Sequence, residues 1–112
     1  MQRGEIWWAS LPDAEGSMPG YRRPVLIVQA DSFNVSKINT VIVLALTSNL
    51  RLAEAPGNVL IKADQSQLSR DSVINVSQIL TIDKDFLTDR VAAISSRIMN
   101  RVEDGMRLVL SL

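Results

Sequence analysis

The feature that most constrains the fold is a series of short apolar runs rich in β-branched residues, each bounded by polar or turn-forming residues. The runs are EIWWASL (5–11), VLIVQ (25–29), NTVIVLAL (39–46), NVLIKA (58–63), DSVINVSQILTI (71–82) and VAAIS (91–95). Runs of this length and composition are typical of β-strands. The second and third are continuously apolar, so we expect them to be central strands that are covered on both faces.

The run at residues 71–82 alternates between apolar and polar residues, which predicts a strand with one buried face and one wet face. The predicted core-facing residues are Ile74, Val76, Leu80 and Ile82. The predicted solvent-facing residues are Asn75, Ser77 and Thr81. Gln78 is a polar exception on the core-facing parity.

The C-terminal segment, residues 95–112, has apolar residues at steps of three and four, which predicts an amphipathic helix. Ser95 or Ser96 is suited to cap its N-terminus. Gly105 lies inside the helix and costs about 1 kcal/mol relative to alanine, which weakens the prediction for the C-terminal half. Together the elements predict a mainly β chain with helices (α+β): a small, strongly curved, mostly antiparallel barrel with a C-terminal helix, formed by residues 1–112 as one domain.

Composition excludes several kinds of chemistry. The chain has no cysteine and no histidine, which removes disulfides, thiolate nucleophiles, zinc–thiolate sites and the commonest acid–base group. We therefore expect no metal site and no cofactor. Twelve Lys and Arg residues balance twelve Asp and Glu residues, so a nucleic-acid partner would have to be bound by a local cluster of cations.

The sequence also bears on the compartment. Its longest strongly apolar segment, VIVLAL at 41–46, is too short to span a membrane. The N-terminal MQRGEIWW carries charge where a signal peptide needs an apolar region. We expect no membrane association, and the cytoplasm is the expected location.

One loop stands out as a candidate for function. The segment PDAEGSMPGYRRP, residues 12–24, contains three of the four prolines and two of the five glycines. At about a dozen residues it is long enough to suggest a functional role. It ends with two cations, Arg22 and Arg23, directly before a predicted buried strand, and the proline after Arg23 favours an extended backbone there.

Arg23 and Thr47 are predicted to lie at one rim of the sheet. Arg23 begins the second strand and Thr47 ends the third, and these two ends are adjacent if the strands pair as an antiparallel hairpin. A guanidinium keeps its charge at any working pH and presents donors that suit phosphate. Taken alone, a surface salt bridge for Arg23 and turn closure by Thr47 and Ser48 are the simpler interpretations.

Several motifs resemble the MazF/PemK family of toxin endoribonucleases from toxin–antitoxin pairs. The motifs are RGEIWWASL, the following GS and RRPVLIVQ, TVIVLALTSN, RDSVINVSQILTIDK and LTDRV. The resemblance runs almost from end to end, with the motifs in the family's order. It implies an SH3-like, plasmid-maintenance-toxin (CcdB/PemK-like) barrel. It also implies metal-independent, sequence-specific cleavage of single-stranded mRNA that inhibits translation and growth.

The resemblance also implies residue roles and partners. Arg23 and Thr47 correspond to the pair proposed to do the chemistry. The residues placed in the RNA groove are Ser17, Arg22, Ser48 and Gln78. The implied partners are single-stranded RNA, a second copy of the chain in a homodimer, and a MazE-like antitoxin with an extended acidic tail, through which DNA would be bound only indirectly.

The composition agrees with such a reaction, because RNA carries its own nucleophile, the 2′-hydroxyl. Attack by that group leaves a 2′,3′-cyclic phosphate and a 5′-hydroxyl, and requires only orientation and charge stabilisation. Arg23 suits electrostatic stabilisation, with proton donation to the leaving oxygen as a further contribution. Two alternatives stay open: a CcdB-like poison of DNA gyrase, although the chain ends VLSL without that group's aromatic residue, and a relic that binds RNA or an antitoxin without cutting.

Overall fold

The computed structural model describes residues 1–11 and 21–112, which form one curled antiparallel sheet with helices at its margins. The strands are β1 (Glu5–Leu11), β2 (Tyr21–Ile27), β3 (Thr40–Thr47), β4 (Val59–Ile61), β5 (Ser72–Asp83) and β6 (Leu87–Ala93). Their order across the sheet is β4-β5-β3-β2-β1-β6. Every pair of neighbouring strands is antiparallel.

The helices lie between the strands and at the C-terminus. They are α1 (Asp31–Asn34), α2 (Ala63–Ser66) and α3 (Ser96–Leu110), with 3₁₀ turns at Leu50–Glu54 and Lys84–Phe86. Ser95 caps α3, because its hydroxyl oxygen accepts a hydrogen bond from the backbone N–H of Ile98 at 3.2 Å. No helix among the described residues is long and apolar enough to cross a membrane.

The sheet is apolar on both faces, and each face has its own cluster. The cluster beneath α3 contains Leu26 and Leu44 of the sheet with Ile98 and Val102 of the helix. The opposite cluster includes Ala9, Val25, Ile27, Val41 and Val43. These alternating contributions explain why the central strands β2 and β3 are continuously apolar in sequence. The predicted mainly β architecture, an antiparallel curved sheet with a C-terminal helix, is confirmed.

One predicted pattern is wrong: the apolar residues of β5 do not share a face. Leu44 pairs with Ile79 and Ala45 pairs with Asn75, so β5 has three extra residues between them. An odd number of extra residues reverses the side-chain alternation. Ile74 and Val76 accordingly pack in the cluster beneath α3. The list of residues that pack on the opposite face includes Leu80 and Ile82.

Gly105 does not end the helix, and its lack of a side chain allows α3 to approach a neighbouring segment. A β-carbon at Gly105 would lie 2.1 Å from the backbone oxygen of Gly57, closer than any real contact. Gly57 has φ +86°, which glycine adopts without strain. Helix α3 continues through Gly105 to Leu110, and the close approach to Gly57 requires a glycine at this position.

Strands β2 and β6 both begin four residues and end two residues before their predicted bounds; the sequence suggested residues 25–29 for β2, which spans Tyr21–Ile27. For β6 the shift brings in polar residues. The sequence suggested residues 91–95, whereas β6 begins at Leu87 and ends at Ala93. Its first half is polar, with Thr88, Asp89 and Arg90 exposed. Because β6 is an edge strand, its polar residues can face solvent while the backbone pairs with β1.

Candidate active site

A cavity of about 330 Å³ opens where β2 begins and β3 ends. Its lining residues are Trp8, Arg22, Arg23, Pro24, Leu46, Thr47, Ser48, Leu68, Ser69, Arg70 and Ser72. The volume is at the lower end of the range of about 300–1,000 Å³ that is usual for ligand pockets. Three guanidinium groups and four hydroxyl groups among the lining residues make this a polar, cationic site.

Sheet register explains why Arg23 and Thr47 lie together. Val25 pairs with Ala45 in the antiparallel β2–β3 ladder, and the same register continued by two residues places Arg23 beside Thr47. The Arg23 guanidinium donates from Nη2 to the backbone oxygen of Leu46 at 3.1 Å. The predicted pairing of these two strands is confirmed, and the two residues line one cavity. Their catalytic roles stay a prediction.

Thr47 forms a turn contact through its hydroxyl oxygen and donates to no group among the described residues. Its hydroxyl oxygen accepts a hydrogen bond from the backbone N–H of Asn49 at 3.2 Å. Asn49 in turn accepts from the N–H of Arg51 and begins the 3₁₀ turn that follows. A threonine hydroxyl has one proton to donate and more than one lone pair, so accepting from Asn49 leaves its proton available to a ligand.

Arg22 lines the same cavity but, unlike Arg23, is paired with a carboxylate. Its guanidinium carbon lies 4.6 Å from the centre of the Trp8 ring, within the range of a cation–π contact. Its Nη2 pairs with the carboxylate of Asp89 at 2.5 Å. Both charged side chains are more than half exposed, so the pair is accessible to solvent and screened by it.

The other residues that the sequence predicted to bind RNA are not all found at the cavity. Ser48 is exposed and lines the cavity beside Thr47. Gln78 lies in the extra segment of β5 and is not among the cavity residues. Ser17 lies outside the described residues. Of the predicted set, the structure brings Arg22, Arg23, Thr47 and Ser48 to one cavity.

Sequence reasoning missed the wall of the cavity that the α2–β5 connection forms. Ser69 and Arg70 belong to this connection, and Ser72 begins β5. The segment DQSQLSR gives no pattern beyond its polarity. Arg70 and Ser72 belong to the motif RDSVINVSQILTIDK, but their position at the cavity depends on tertiary contacts that no local pattern predicts.

The three arginines that line the cavity differ in their charge partners. Among residues 1–11 and 21–112, neither Arg23 nor Arg70 forms a salt bridge with a carboxylate, whereas Arg22 does. No group of three or more acidic, cysteine or histidine residues suited to a metal ion is found in those same ranges. Guanidinium groups that line the cavity without a carboxylate partner in those ranges suit an anion as ligand.

Two carboxylates with shifted pKa values lie elsewhere and have structural partners. Burial raises the pKa of Glu5, but hydrogen bonds from Arg90, Trp7 and the N–H of Gln2 outweigh burial and leave the pKa lowered. The N–H of Arg3 and the side chain of Asn34 lower the pKa of Asp31. Neither carboxylate lines the cavity.

Comparison with known proteins identifies the class that this fold and cavity define. Residues 2–110 match the model of the family described as PemK-like, MazF-like toxin of type II toxin–antitoxin system. The chain belongs to this family. The fold and the enzyme class predicted from the sequence, an endoribonuclease toxin, are thereby confirmed.

Individual relatives cover the whole chain. Endoribonuclease MazF6 of Mycobacterium tuberculosis is 47% identical over 112 residues, spanning 100% of this chain and 98% of that protein. Endoribonuclease EndoA of Bacillus subtilis is 38% identical over the same length, covering 96% of that protein. The crystal structure of a MazE–MazF complex from Deinococcus radiodurans superposes with a TM-score of 0.83 at 18% identity, covering 100% of this chain and 96% of that one.

Proposed function

We propose that the protein cuts single-stranded mRNA at a short recognition sequence, without a metal ion, by promoting attack of the substrate's own 2′-hydroxyl. The observation that carries the proposal is the convergence of Arg23 and Thr47 on one cationic cavity. The chain has no histidine or cysteine, so the reaction has to rely on orientation and fixed charge. The endoribonuclease relatives, which match over the full chain, support the substrate class.

In the proposed reaction the 2′-oxygen forms a bond to the adjacent phosphorus and the bond from phosphorus to the 5′-oxygen breaks. The 2′-hydroxyl loses its proton to solvent, and the leaving 5′-oxygen takes one up from solvent. The products are a 2′,3′-cyclic phosphate and a 5′-hydroxyl. No external nucleophile enters, so the protein has to hold the attacking oxygen, the phosphorus and the leaving oxygen in line.

Arg23 stabilises the negative charge that builds up on the non-bridging phosphate oxygens. Its hydrogen bond to the Leu46 carbonyl fixes one arm of the guanidinium while the other donors stay available. A carbonyl orients the cation without neutralising it, unlike a carboxylate. Removing one such preorganised donor from other enzymes costs roughly 3–4 kcal/mol in the transition state.

Thr47 donates its hydroxyl proton to a non-bridging oxygen of the same phosphate. The hydrogen bond accepted from Asn49 orients the hydroxyl, because it occupies one lone pair and leaves the proton to point elsewhere. Arg23 and Thr47 thus hold the phosphate from two adjacent strands of a rigid sheet. Ser48 and Arg22, at the same rim, contact the neighbouring nucleotides.

The biological setting that we infer is the toxin half of a pair whose other half is a MazE-like antitoxin. The chain shares its fold with an endoribonuclease from a Mycobacterial species that was solved in complex with its cognate antitoxin, and with the MazE–MazF complex from Deinococcus radiodurans. We further infer that the toxin acts in the cytoplasm as a homodimer, that the antitoxin's acidic tail competes with RNA for the cationic groove, and that DNA is bound only through the antitoxin.

The test is a single-turnover assay of purified protein with a defined RNA in EDTA. We expect cleavage to persist, to leave a cyclic phosphate and a 5′-hydroxyl, and to stop when the nucleotide at the cut carries a 2′-deoxy sugar. Lys37→Ala is the matched control for Arg23→Ala. Lys37 is an exposed cation beyond the opposite end of β3, so its removal should not change the cleavage rate. Cleavage that needs Mg²⁺, or that leaves a 5′-phosphate, would contradict the mechanism.

Two further outcomes would replace the proposal. Intact RNA together with arrested DNA gyrase would identify a gyrase poison. RNA that is bound by the wild type but never cut, under any ionic condition, would identify a relic that only binds. Sequencing of the RNA ends from the same assay maps the recognised bases, which lets later substrates carry one defined cut.

A further inference from the structure

Arg70 provides a cation at the active-site cavity from a part of the chain remote in sequence from β2 and β3. It lies in the connection between α2 and β5, and it lines the cavity together with Ser69 and Ser72. Of the three lining guanidinium groups, Arg23 of β2 and Arg70 of this connection have no carboxylate partner among the described residues.

Three contacts and one backbone turn hold the connection in place. Leu68 is buried in the apolar cluster beneath α3, and its backbone N–H donates to the buried Ser66 hydroxyl at 3.1 Å. Gln67 turns the chain with φ 63° at the end of α2. The Ser72 hydroxyl donates to the backbone oxygen of Arg70 at 3.2 Å. The backbone that presents Arg70 is thus fixed before any ligand binds.

The neighbouring acidic residue does not neutralise Arg70. Asp71 accepts a hydrogen bond from the N–H of Ala63 at 2.8 Å, and its other oxygen lies 3.6 Å from the ammonium nitrogen of Lys62. Its carboxylate is therefore directed toward the start of α2. Arg22 shows the contrasting arrangement, since Asp89 neutralises it. Two guanidinium groups that have no carboxylate partner among residues 1–11 and 21–112 share a cavity of about 330 Å³, and they repel each other unless an anion lies near them.

We propose that Arg70 binds the phosphate next to the one that is cut, so that the cavity holds one nucleotide between two phosphates. The inference rests on the proposed RNA cleavage. Arg23 and Thr47 hold the reacting phosphate, and Arg70 holds its neighbour and fixes the direction of the strand. The contact is to the phosphate rather than to a base edge, so it strengthens binding without selecting sequence.

The test compares Arg70→Ala, Arg70→Lys and Lys37→Ala with the wild type, using an RNA made uncleavable by one 2′-deoxy nucleotide at the mapped cut. Arg70→Ala should weaken binding about tenfold. It should also reduce the slope of log affinity against log salt by about 0.7, the value for one phosphate contact on a single strand. Arg70→Lys should keep the salt slope, and Lys37→Ala should match the wild type.

Two further measurements separate a phosphate contact from other roles. With cleavable RNA, Arg70→Ala should raise the protein concentration for half-maximal cleavage and leave the maximal single-turnover rate within about threefold, because Arg70 does not touch the reacting phosphate. Arg70→Ala should weaken the binding of two RNAs equally when they differ only in the bases next to the recognition sequence. Unchanged thermal melting of the variants confirms that they are folded.

The results that overturn the inference are distinct from those that overturn the proposed function. If the wild type neither binds nor cuts RNA, the proposed function fails and the Arg70 contact fails with it. If the wild type cuts RNA but Arg70→Ala keeps the wild-type affinity and salt slope, only the Arg70 contact is wrong. Weakening confined to one flanking sequence would identify a base contact, and loss confined to the maximal rate would identify a role at the reacting phosphate.

Discussion

One arginine lies on each of the two strands that flank β1, and the two guanidinium groups differ in the group that accepts their hydrogen bond. Arg23 of β2 pairs with Ala9, and Arg90 of β6 pairs with Trp7. Arg90 donates from Nε to the Glu5 carboxylate at 2.7 Å, whereas Arg23 donates to the Leu46 carbonyl at 3.1 Å. The carboxylate neutralises Arg90, and the carbonyl leaves the charge of Arg23 available.

On the β6 side of β1, Glu5 is the centre of a hydrogen-bond network. Glu5 is buried and accepts hydrogen bonds from the N–H of Gln2 at 2.7 Å, from Trp7 Nε1 at 3.0 Å and from Arg90. A buried carboxylate with three donors has little capacity left for a ligand. The same residue type therefore stabilises the fold on one side of β1 and is available for chemistry on the other.

The largest effect that tests this contrast is on catalysis at Arg23. We expect Arg23→Ala to reduce the single-turnover cleavage rate by about 10²–10³-fold, because it removes a preorganised charge from the transition state. Stability should change little, since the structure loses one partly exposed hydrogen bond. Quenched-flow cleavage and a thermal melt measure the two quantities. If Arg23→Ala cuts at the wild-type rate, Arg23 does not stabilise the transition state and the contrast with Arg90 is wrong.

Thr47→Val should have the next largest effect, about 10–100-fold on the cleavage rate, because one neutral donor is lost. The variant keeps the shape of the side chain and removes the hydroxyl that accepts from Asn49. Thr47→Ser is the matched control and should retain most of the activity. If serine is as damaging as valine, the methyl group and not the hydroxyl is what the site needs.

On the other side of β1, Arg90→Ala should act on stability. It removes one of three donors to a buried carboxylate, and we expect a loss of about 1–2 kcal/mol in the free energy of unfolding, moderated by the exposure of Arg90. The cleavage rate of the folded protein should stay at the wild-type level. Urea denaturation gives the first value, and a strong loss of catalysis without a loss of stability would reverse the assignment.

The smallest effect that we predict is on the pH dependence of stability. The pKa of Glu5 lies below its usual value of 4.5, so its carboxylate stabilises the fold at neutral pH and this contribution is lost as pH falls through the lowered pKa. Glu5→Gln should melt at a lower temperature than the wild type at pH 7, and the difference should shrink below about pH 4.5. A difference that stays constant down to pH 3 would exclude Glu5 as its source.

The sequence predicted those parts of the fold that depend on local pattern. Central strands β2 and β3 follow from continuous β-branched runs, and the helix cap at Ser95 follows from its position before an amphipathic segment. The adjacency of Arg23 and Thr47 could also be predicted, because a hairpin brings the start of one strand to the end of the next. The resemblance to a family then added roles that the pattern alone does not give.

The features that the sequence did not predict depend on contacts between distant segments. The extra residues of β5 reverse its alternation between Asn75 and Ile79, which only the pairing with β3 reveals. Gly105 looked unfavourable in a helix because its contact with Gly57 comes from another element. Arg70 reaches the cavity through a connection that is anchored in the core, so its polar surroundings in sequence carry no signal.

The most direct test of the central claim is a double-mutant cycle on the cleavage rate. If Arg23 and Thr47 act on one phosphate in one cavity, the double variant Arg23→Ala with Thr47→Val should cut within about threefold of Arg23→Ala alone, because residues that act as a unit are not additive. A double variant whose loss equals the product of the two single losses would show two independent contributions. That result would contradict a shared phosphate site.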